Sequence, residues 1–309
     1  MKIIIFGSGG VGGYFGGRLA QSGQNVAFIA RGAHLDAIRQ NGLRVDSVNG
    51  DFTIQPAQAT ADPASHGKAD LILLCVKAWQ LNEAVSQIKP LIGAETLILP
   101  LMNGMEHMDT LLETFGAENV LGGLCRISAF IEAPGHIRHV GIQPYIAYGE
   151  WDDSKSERIQ ILDGIFKPLT GVTAERPVSI QTAMWEKFIF IAATSGVGAF
   201  TRKPLGEYRS DPASRAMLAA TLEETAAIAR ARNIPIAETF VEATLARMDG
   251  LPPATIASMQ KDIMAGKPSE LDQQTGAVIR MGKASNVPTP THEKILATLL
   301  PLEQKARSK

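Results

Sequence analysis

Cysteine is scarce in this chain. The two among its 309 residues, Cys75 and Cys125, each lie in an apolar run and share no CxxC-type spacing. That excludes a disulfide framework and a thiolate zinc site, and both read as small core residues kept reduced. Histidine supplies no metal site either: there is no HExxH, and His136 and His139 stand three apart in a segment that reads as strand, which turns them to opposite faces. Charge of one sign is lacking. Thirty basic against 31 acidic side chains leave a net charge of −1, which removes any broad electrostatic drive toward nucleic acid or an anionic membrane. The most apolar stretch, Phe188–Phe200, is broken by Thr194, Ser195 and two glycines and falls short of the roughly 20 residues a bilayer span needs. The N-terminal apolar run passes directly into glycines, so it reads as a first strand and not a signal peptide, and a cytoplasmic protein is expected. The length is enough for two domains, each with its own core.

What is present is a glycine fingerprint in a telling place. The run Gly7-Ser8-Gly9-Gly10-Val11-Gly12 follows the apolar segment Lys2–Phe6 and opens a helix. In a dinucleotide site Gly7 permits the tight strand-to-helix turn, Gly9 lets backbone approach a pyrophosphate, and Gly12 lets the helix lie close to the sheet, with free helix N–H groups facing the phosphates. The second strand, Asn25–Ala30, ends at Arg31-Gly32, where an NAD site would carry an acid for the ribose 2′-hydroxyl. A guanidinium there suits a 2′-phosphate, so NADPH/NADP is the expected cofactor.

The first half alternates strands (2–6, 25–30, 70–76, 96–101) with helices (10–22, 32–41, 79–89, 104–115), the pattern of a doubly wound parallel sheet. Leu43–Ala57 forms two alternating runs about Asn49-Gly50, a hairpin expected as an insertion at the sheet edge. The β-rich runs between Asn119 and Gly149, a polar helix near 155–166 and a short strand near 172–174 complete this part. Beyond Pro177 the segments 179–194, 211–232, 237–249, 253–265, 270–283 and 289–300 all read as helices, and Lys305–Lys309 as a frayed basic tail. The expected fold is α/β: an N-terminal doubly wound Rossmann-type domain over 1–176, then an all-α domain over 177–309.

In such a sheet ligands bind beyond the carboxyl ends of the strands. Lys77 and Asn103-Gly104 stand there, as ligand contacts or as ordinary exit residues. Lys187 has Ala183, Met184, Phe190 and Ile191 three and four positions away. A lysine on that apolar flank either snorkels to solvent or sits in a partly dry cleft, which would suit a proton donor. Glu270 falls in the first turn of a helix with Ser269 as N-cap, where complementing the helix dipole is a sufficient reason for a carboxylate.

Together these residues resemble the ketopantoate reductase (2-dehydropantoate 2-reductase) family over essentially the full length. The resemblance rests on GSGGVG, Arg31, Val76-Lys77-Ala78-Trp79-Gln80, Asn103-Gly104-Met105, Trp185-Glu186-Lys187, Ser258-Met259 and Glu270-Leu271-Asp272, in that order. It implies NADPH-dependent reduction of a 2-oxo acid to a 2-hydroxy acid, 2-dehydropantoate to pantoate on the way to pantothenate, by a Rossmann domain and a helical domain enclosing a cleft. A small-molecule substrate is thus expected, and a homodimer is compatible with this reading. Lys187 then looks like the general acid and Glu270 like the acceptor for the substrate hydroxyl, also orienting the lysine. Ser258 matches the position that binds the substrate carboxylate, and Lys77 and Asn103 match residues near the nicotinamide and the substrate carbonyl. Where the family carries asparagines four and eight residues after the lysine, this chain has Ile191 and Ser195. Ile191 cannot hydrogen-bond, so a more apolar 2-oxo acid enters as an alternative substrate, unless Thr194 compensates. A non-catalytic NADPH-binding regulator is a further alternative, against which Lys187 and Glu270 argue, since neither is needed to hold a cofactor.

Overall fold

The computed structural model describes residues 1–308, and contacts divide the chain into two units. The first takes in Met1–Met102 and His107–Gln181. It contains β1 (Lys2–Phe6), α1 (Gly10–Gln21), β2 (Asn25–Ile29), α2 (Gly32–Asn41), β3 (Leu43–Ser47), β4 (Phe52–Ile54), β5 (Gln58–Thr60), β6 (Leu71–Leu74), α3 (Leu81–Ile88), β7 (Leu97–Pro100), α4 (Glu106–Phe115, whose first residue groups with the other unit), β8 (Gly122–Arg126), β9 (Ala129–Ala133), β10 (His136–His139), β11 (Tyr145–Gly149), α5 (Glu157–Phe166) and β12 (Thr173–Glu175).

The main sheet has the order β5-β2-β1-β6-β7 and is parallel throughout. Its central strands are apolar without alternation because both faces are covered: Ile3, Ile4, Ile5 and Leu71–Leu74 are fully buried. Truncating one of these, Ile5→Ala for example, removes about 2–5 kcal/mol. The expected hairpin forms, with Gly50 N–H donating to Ser47 O at 2.9 Å and φ of +95° at Gly50. It is not an edge of the main sheet, however. β3 pairs in parallel with β10, giving a separate sheet of order β4-β3-β10-β9, while the edges of the main sheet are β5 and β7. A buried arginine fastens the hairpin to α1. The Arg18 guanidinium lies 4.2 Å from the Phe52 ring centre and donates to the Asn49 and Gly50 carbonyls at 3.2 and 2.9 Å. Cys75 lies just past β6 and Cys125 in β8; neither is in a disulfide, and burial pushes the Cys75 thiol well up, keeping it inert.

The second unit is helical and comprises Asn103–Glu106 and the chain from Thr182 onward. Its elements are α6 (Ile180–Thr201, which starts in the first unit), α7 (Leu205–Ser210), α8 (Pro212–Ala231), α9 (Phe240–Asp249), α10 (Ser258–Met264), α11 (Ala277–Ala284) and α12 (Pro290–Arg307). A π-helical turn, Asp272–Gly276, leads into α11. The helix α12 begins where Glu224 of α8 accepts the backbone N–H groups of Thr291 and His292 at 2.7 and 3.1 Å, satisfying donors that a helix start leaves open. Its other end corrects the expectation of a frayed tail. The helix continues to Arg307, which donates to Glu303 at 2.7 Å and to Ser269 O at 2.9 Å; Lys309 lies outside the described residues.

Candidate functional site

The glycine loop takes the geometry its sequence calls for. Gly7 has φ of +98°, open to glycine but costly for other residues, and a Cβ on Gly12 would lie 2.1 Å from Gly7 O, so only glycine lets α1 start this close to β1. Nothing stands within 4 Å of a Cβ built on Gly9, which is the N-cap of α1 and the place where phosphate would approach. The first turn of α1 contains no acid and Gly9 makes no side-chain cap, leaving the positive end of the helix for an anion. These features fit a dinucleotide. Two neighbours have structural work instead: Ser8 is buried and donates its hydroxyl to Ile29 O at 2.8 Å, and Gly10 faces β9, where a Cβ would lie 2.2 Å from Ala129 O. Val11 is half-buried in the first turn.

A residue not singled out from sequence steadies this loop. His34 of α2 accepts the Gly135 N–H on Nδ1 at 3.0 Å, which leaves the proton on Nε2, 2.9 Å from Ser8 O. Burial lowers its pKa below the ordinary value, against the opposing effect of the Ser8 carbonyl. Arg31 is the N-cap of α2, with an exposed guanidinium whose Nη2 reaches Glu83 Oε1 at 2.6 Å and Gln87 Oε1 at 3.1 Å. Lys77 is exposed, three residues past β6, in a turn where its backbone N–H donates to Gln80 Oε1 at 3.2 Å.

In the helical unit, two of the residues picked from sequence meet. Asn103 Nδ2 donates to Glu270 Oε2 at 3.0 Å across 167 positions. Glu270 is 2% exposed, and a carboxylate so buried is held by hydrogen bonds and is no mere dipole complement at a helix start. Gln274, which sequence reasoning missed, adds a second amide: its Nε2 lies 3.3 Å from the same oxygen. The π-turn presents Gln274 there, and such turns recur at functional sites. Gln273 Oε1, Gln274 Oε1 and Thr275 Oγ1 are buried with no protein partner, as in a place that receives a polar ligand. Gly104 packs on this turn with φ of +95°, where a Cβ would lie 3.0 Å from Gln273 O.

The segment is anchored from α12. Buried Glu303 accepts the Ser269 N–H at 3.0 and 3.1 Å on its two oxygens and the Ser269 hydroxyl at 2.5 Å, while Ser269 Oγ accepts the Leu271 N–H at 3.2 Å. Ser269 thus caps the turn, and its neighbour Glu270 inherits a fixed backbone. Arg280 brackets the other side, bidentate to Glu106 at 2.9 and 2.7 Å and bonded to Asp272 Oδ1 at 2.7 Å, which raises its pKa further.

Lys187 is half-buried midway along α6, with Ile191 one turn on, also half-buried, and Ser195 two turns on, 2% exposed. The Thr194 hydroxyl donates to Phe190 O at 2.8 Å within its own helix. Ser258 is exposed in the first turn of α10 and shares no hydrogen bond with the Asn103–Glu270 pair. Among the described residues no helix is long and apolar enough to cross a membrane, and no group of three or more His, Cys, Asp or Glu could hold a metal.

Residues 3–153 match the family described as Ketopantoate reductase PanE/ApbA, and residues 179–303 match its C-terminal domain. The chain belongs to the ketopantoate reductase family. As a member it is an oxidoreductase, and ketopantoate reductases use NADPH. Its relatives include an uncharacterized oxidoreductase, YkpB, of Bacillus subtilis (strain 168), 32% identical over 97% of this chain and 98% of that one. A crystal structure of a PanE/ApbA family ketopantoate reductase from Ralstonia eutropha JMP134 has a TM-score of 0.90 and 31% identity, covering 99% of this chain and all of its own. A structure of D-mandelate dehydrogenase with NADH has a TM-score of 0.86 at 25% identity, covering 98% of this chain and 99% of that one.

Proposed function

We propose that this protein reduces a 2-oxo acid to the 2-hydroxy acid with NADPH, with ketopantoate as substrate. The observation that carries the reading is the Asn103–Glu270 hydrogen bond at 3.0 Å. An asparagine just past β7, the fifth parallel strand in chain order, and a buried carboxylate of the helical unit form one polar centre, with an amide and an acid available to a substrate oxygen.

The glycine loop and Arg31 would hold NADPH, the guanidinium being suited to its 2′-phosphate, and the bound cofactor would supply a hydride to the carbonyl carbon. Lys187 gives a proton from its ammonium to the carbonyl oxygen, completing the hydroxyl, and is reprotonated from solvent. Glu270 accepts the hydroxyl hydrogen of the product and orients the substrate, while the Asn103 amide fixes the carboxylate. Ser258, in the exposed first turn of α10, takes the substrate carboxylate. The test is loss of NADPH absorbance on adding a panel of 2-oxo acids, which this reading expects to be fast with ketopantoate; an inert panel overturns it.

A more apolar substrate is favoured by one feature, the half-buried Ile191 with Thr194 bonded back to its own helix. Mandelate, the 2-hydroxy acid in the name of one structural neighbour, D-mandelate dehydrogenase, is the reduced form of such a 2-oxo acid. On this second reading Ile191→Asn raises kcat/KM for ketopantoate by up to about tenfold, the worth of one hydrogen bond. If the wild type already turns ketopantoate over efficiently and Ile191→Asn lowers that, the second reading is dropped.

A further inference from the structure

The guanidinium at the end of β2 does not stand alone. Arg31 Nη2 lies 2.6 Å from Glu83 Oε1 and 3.1 Å from Gln87 Oε1, and Gln87 Nε2 donates back to Glu83 Oε1 at 2.9 Å. Glu83 and Gln87 stand one turn apart on α3, so one helix face presents an acid and an amide to Arg31. The side-chain hydrogen bonds that Arg31 makes go through Nη2, while Nε and Nη1 are directed at no acceptor among the described residues.

We propose that Glu83 is a specificity-determining residue that opposes Arg31 on the 2′-phosphate, so that the site accepts NADH alongside NADPH. The proposal rests on the reading of Arg31 as the 2′-phosphate ligand. Two chemistries then stand side by side where cofactor selection is made. Arg31 keeps the three N–H donors of Nε and Nη1 for a phosphate, whereas Glu83 supplies, from α3, a carboxylate of the kind that NAD sites use to accept the ribose 2′-hydroxyl. A 2′-phosphate bound to Arg31 comes to rest beside a like charge. At roughly 6 Å in solvent-dominated surroundings each unit charge on the phosphate weakens binding by about threefold, so a nearly doubly charged phosphate loses about tenfold at low salt. A free ribose hydroxyl has no such charge to repel.

An exposed ion pair of this kind contributes little to folding, with side chains 55% and 52% exposed, so it can be changed without risk to the fold. Glutamine at position 83 keeps the shape, the helix propensity and a hydrogen-bond acceptor while removing the charge.

The experiment is titration calorimetry of NADPH and NADH, without substrate, on wild type, Glu83→Gln and Arg31→Ala at low and high salt. Glu83→Gln is expected to tighten NADPH by about three- to tenfold at low salt, to lose most of that gain at high salt, and to leave NADH unchanged or weaker. NADPH affinity that is unchanged or weaker in Glu83→Gln overturns the proposal, since Glu83 would then be inert or a support for Arg31. The Arg31→Ala arm separates the two levels. If it leaves NADPH affinity intact, the assignment of Arg31 itself fails; if it weakens NADPH while Glu83→Gln changes nothing, only the role of Glu83 falls.

Discussion

Glu303 is the side chain whose loss should cost the helical unit most for its size. It is 5% exposed and accepts the backbone N–H and hydroxyl of Ser269, itself fully buried, together with the Arg307 guanidinium. The Arg307 side chain is 39% exposed, so screening leaves its ion pair with under about 1 kcal/mol. The two Ser269 bonds dominate: each is charge-assisted, at about 1.5–3 kcal/mol, and their loss strands a buried N–H. Glu303→Ala should therefore destabilise by about 3–5 kcal/mol, and Glu303→Gln, which keeps an acceptor for the N–H, by about half of that. For a unit of this size the alanine variant should unfold roughly 10–20 °C lower. Differential scanning calorimetry checks this, and kinetics at a temperature where the variant is folded should show lower kcat/KM with NADPH affinity kept, because Ser269 sets the backbone of Glu270. An alanine variant within about 1 kcal/mol of wild type would refute the reasoning.

Lys187→Ala should leave NADPH binding nearly intact and lower kcat by about 10²–10⁴-fold, the worth of a positioned general acid; near-normal turnover sinks that role. Gln274→Leu removes an amide 3.3 Å from Glu270 but also an oxygen with no protein partner, so stability should move by under about 1 kcal/mol while kcat/KM falls about tenfold. A large loss of stability with kinetics unchanged would mark Gln274 as structural only. His34 is held neutral with its pKa lowered by burial, so the unfolded chain takes up the proton first as pH falls. Its contribution is complete above the ordinary value of 6.5 and is lost as pH falls from there through the lowered folded value. Wild type should lose more stability than His34→Gln between neutral and mildly acidic pH in denaturant titrations, and parallel curves would contradict this.

The parallel sheet was legible because strands buried on both faces read as unbroken apolar runs, and β1 and the glycine loop carry their geometry in a few adjacent residues. The hairpin about Asn49-Gly50 was legible too, but its sheet was not, because the β3–β10 pairing joins segments some 90 positions apart and turn chemistry says nothing of that. Asn103 and Glu270 could be picked out singly, yet their bond spans 167 positions and no local pattern encodes it. Gln274 was hidden for another reason: helical periodicity assumes regular turns, and the π-turn at Asp272–Gly276 shifts which side chain meets Glu270. The basic C-terminus looked frayed because the acceptor of Arg307, Ser269 O, lies 38 residues back.

The grouping of Asn103–Glu106 with the helices bears on how this protein can be taken apart. A gene cut near residue 180 would yield a helical fragment with Glu270 short of the Asn103 amide and Arg280 short of both Glu106 oxygens. The buried carboxyl group would have one donor fewer, and the guanidinium would fall back on Asp272 alone. Recombining halves from two relatives would therefore transplant an incomplete polar centre unless the four-residue loop travelled with the helices. Inheritance of this architecture is by the whole chain, and its two units are not interchangeable parts.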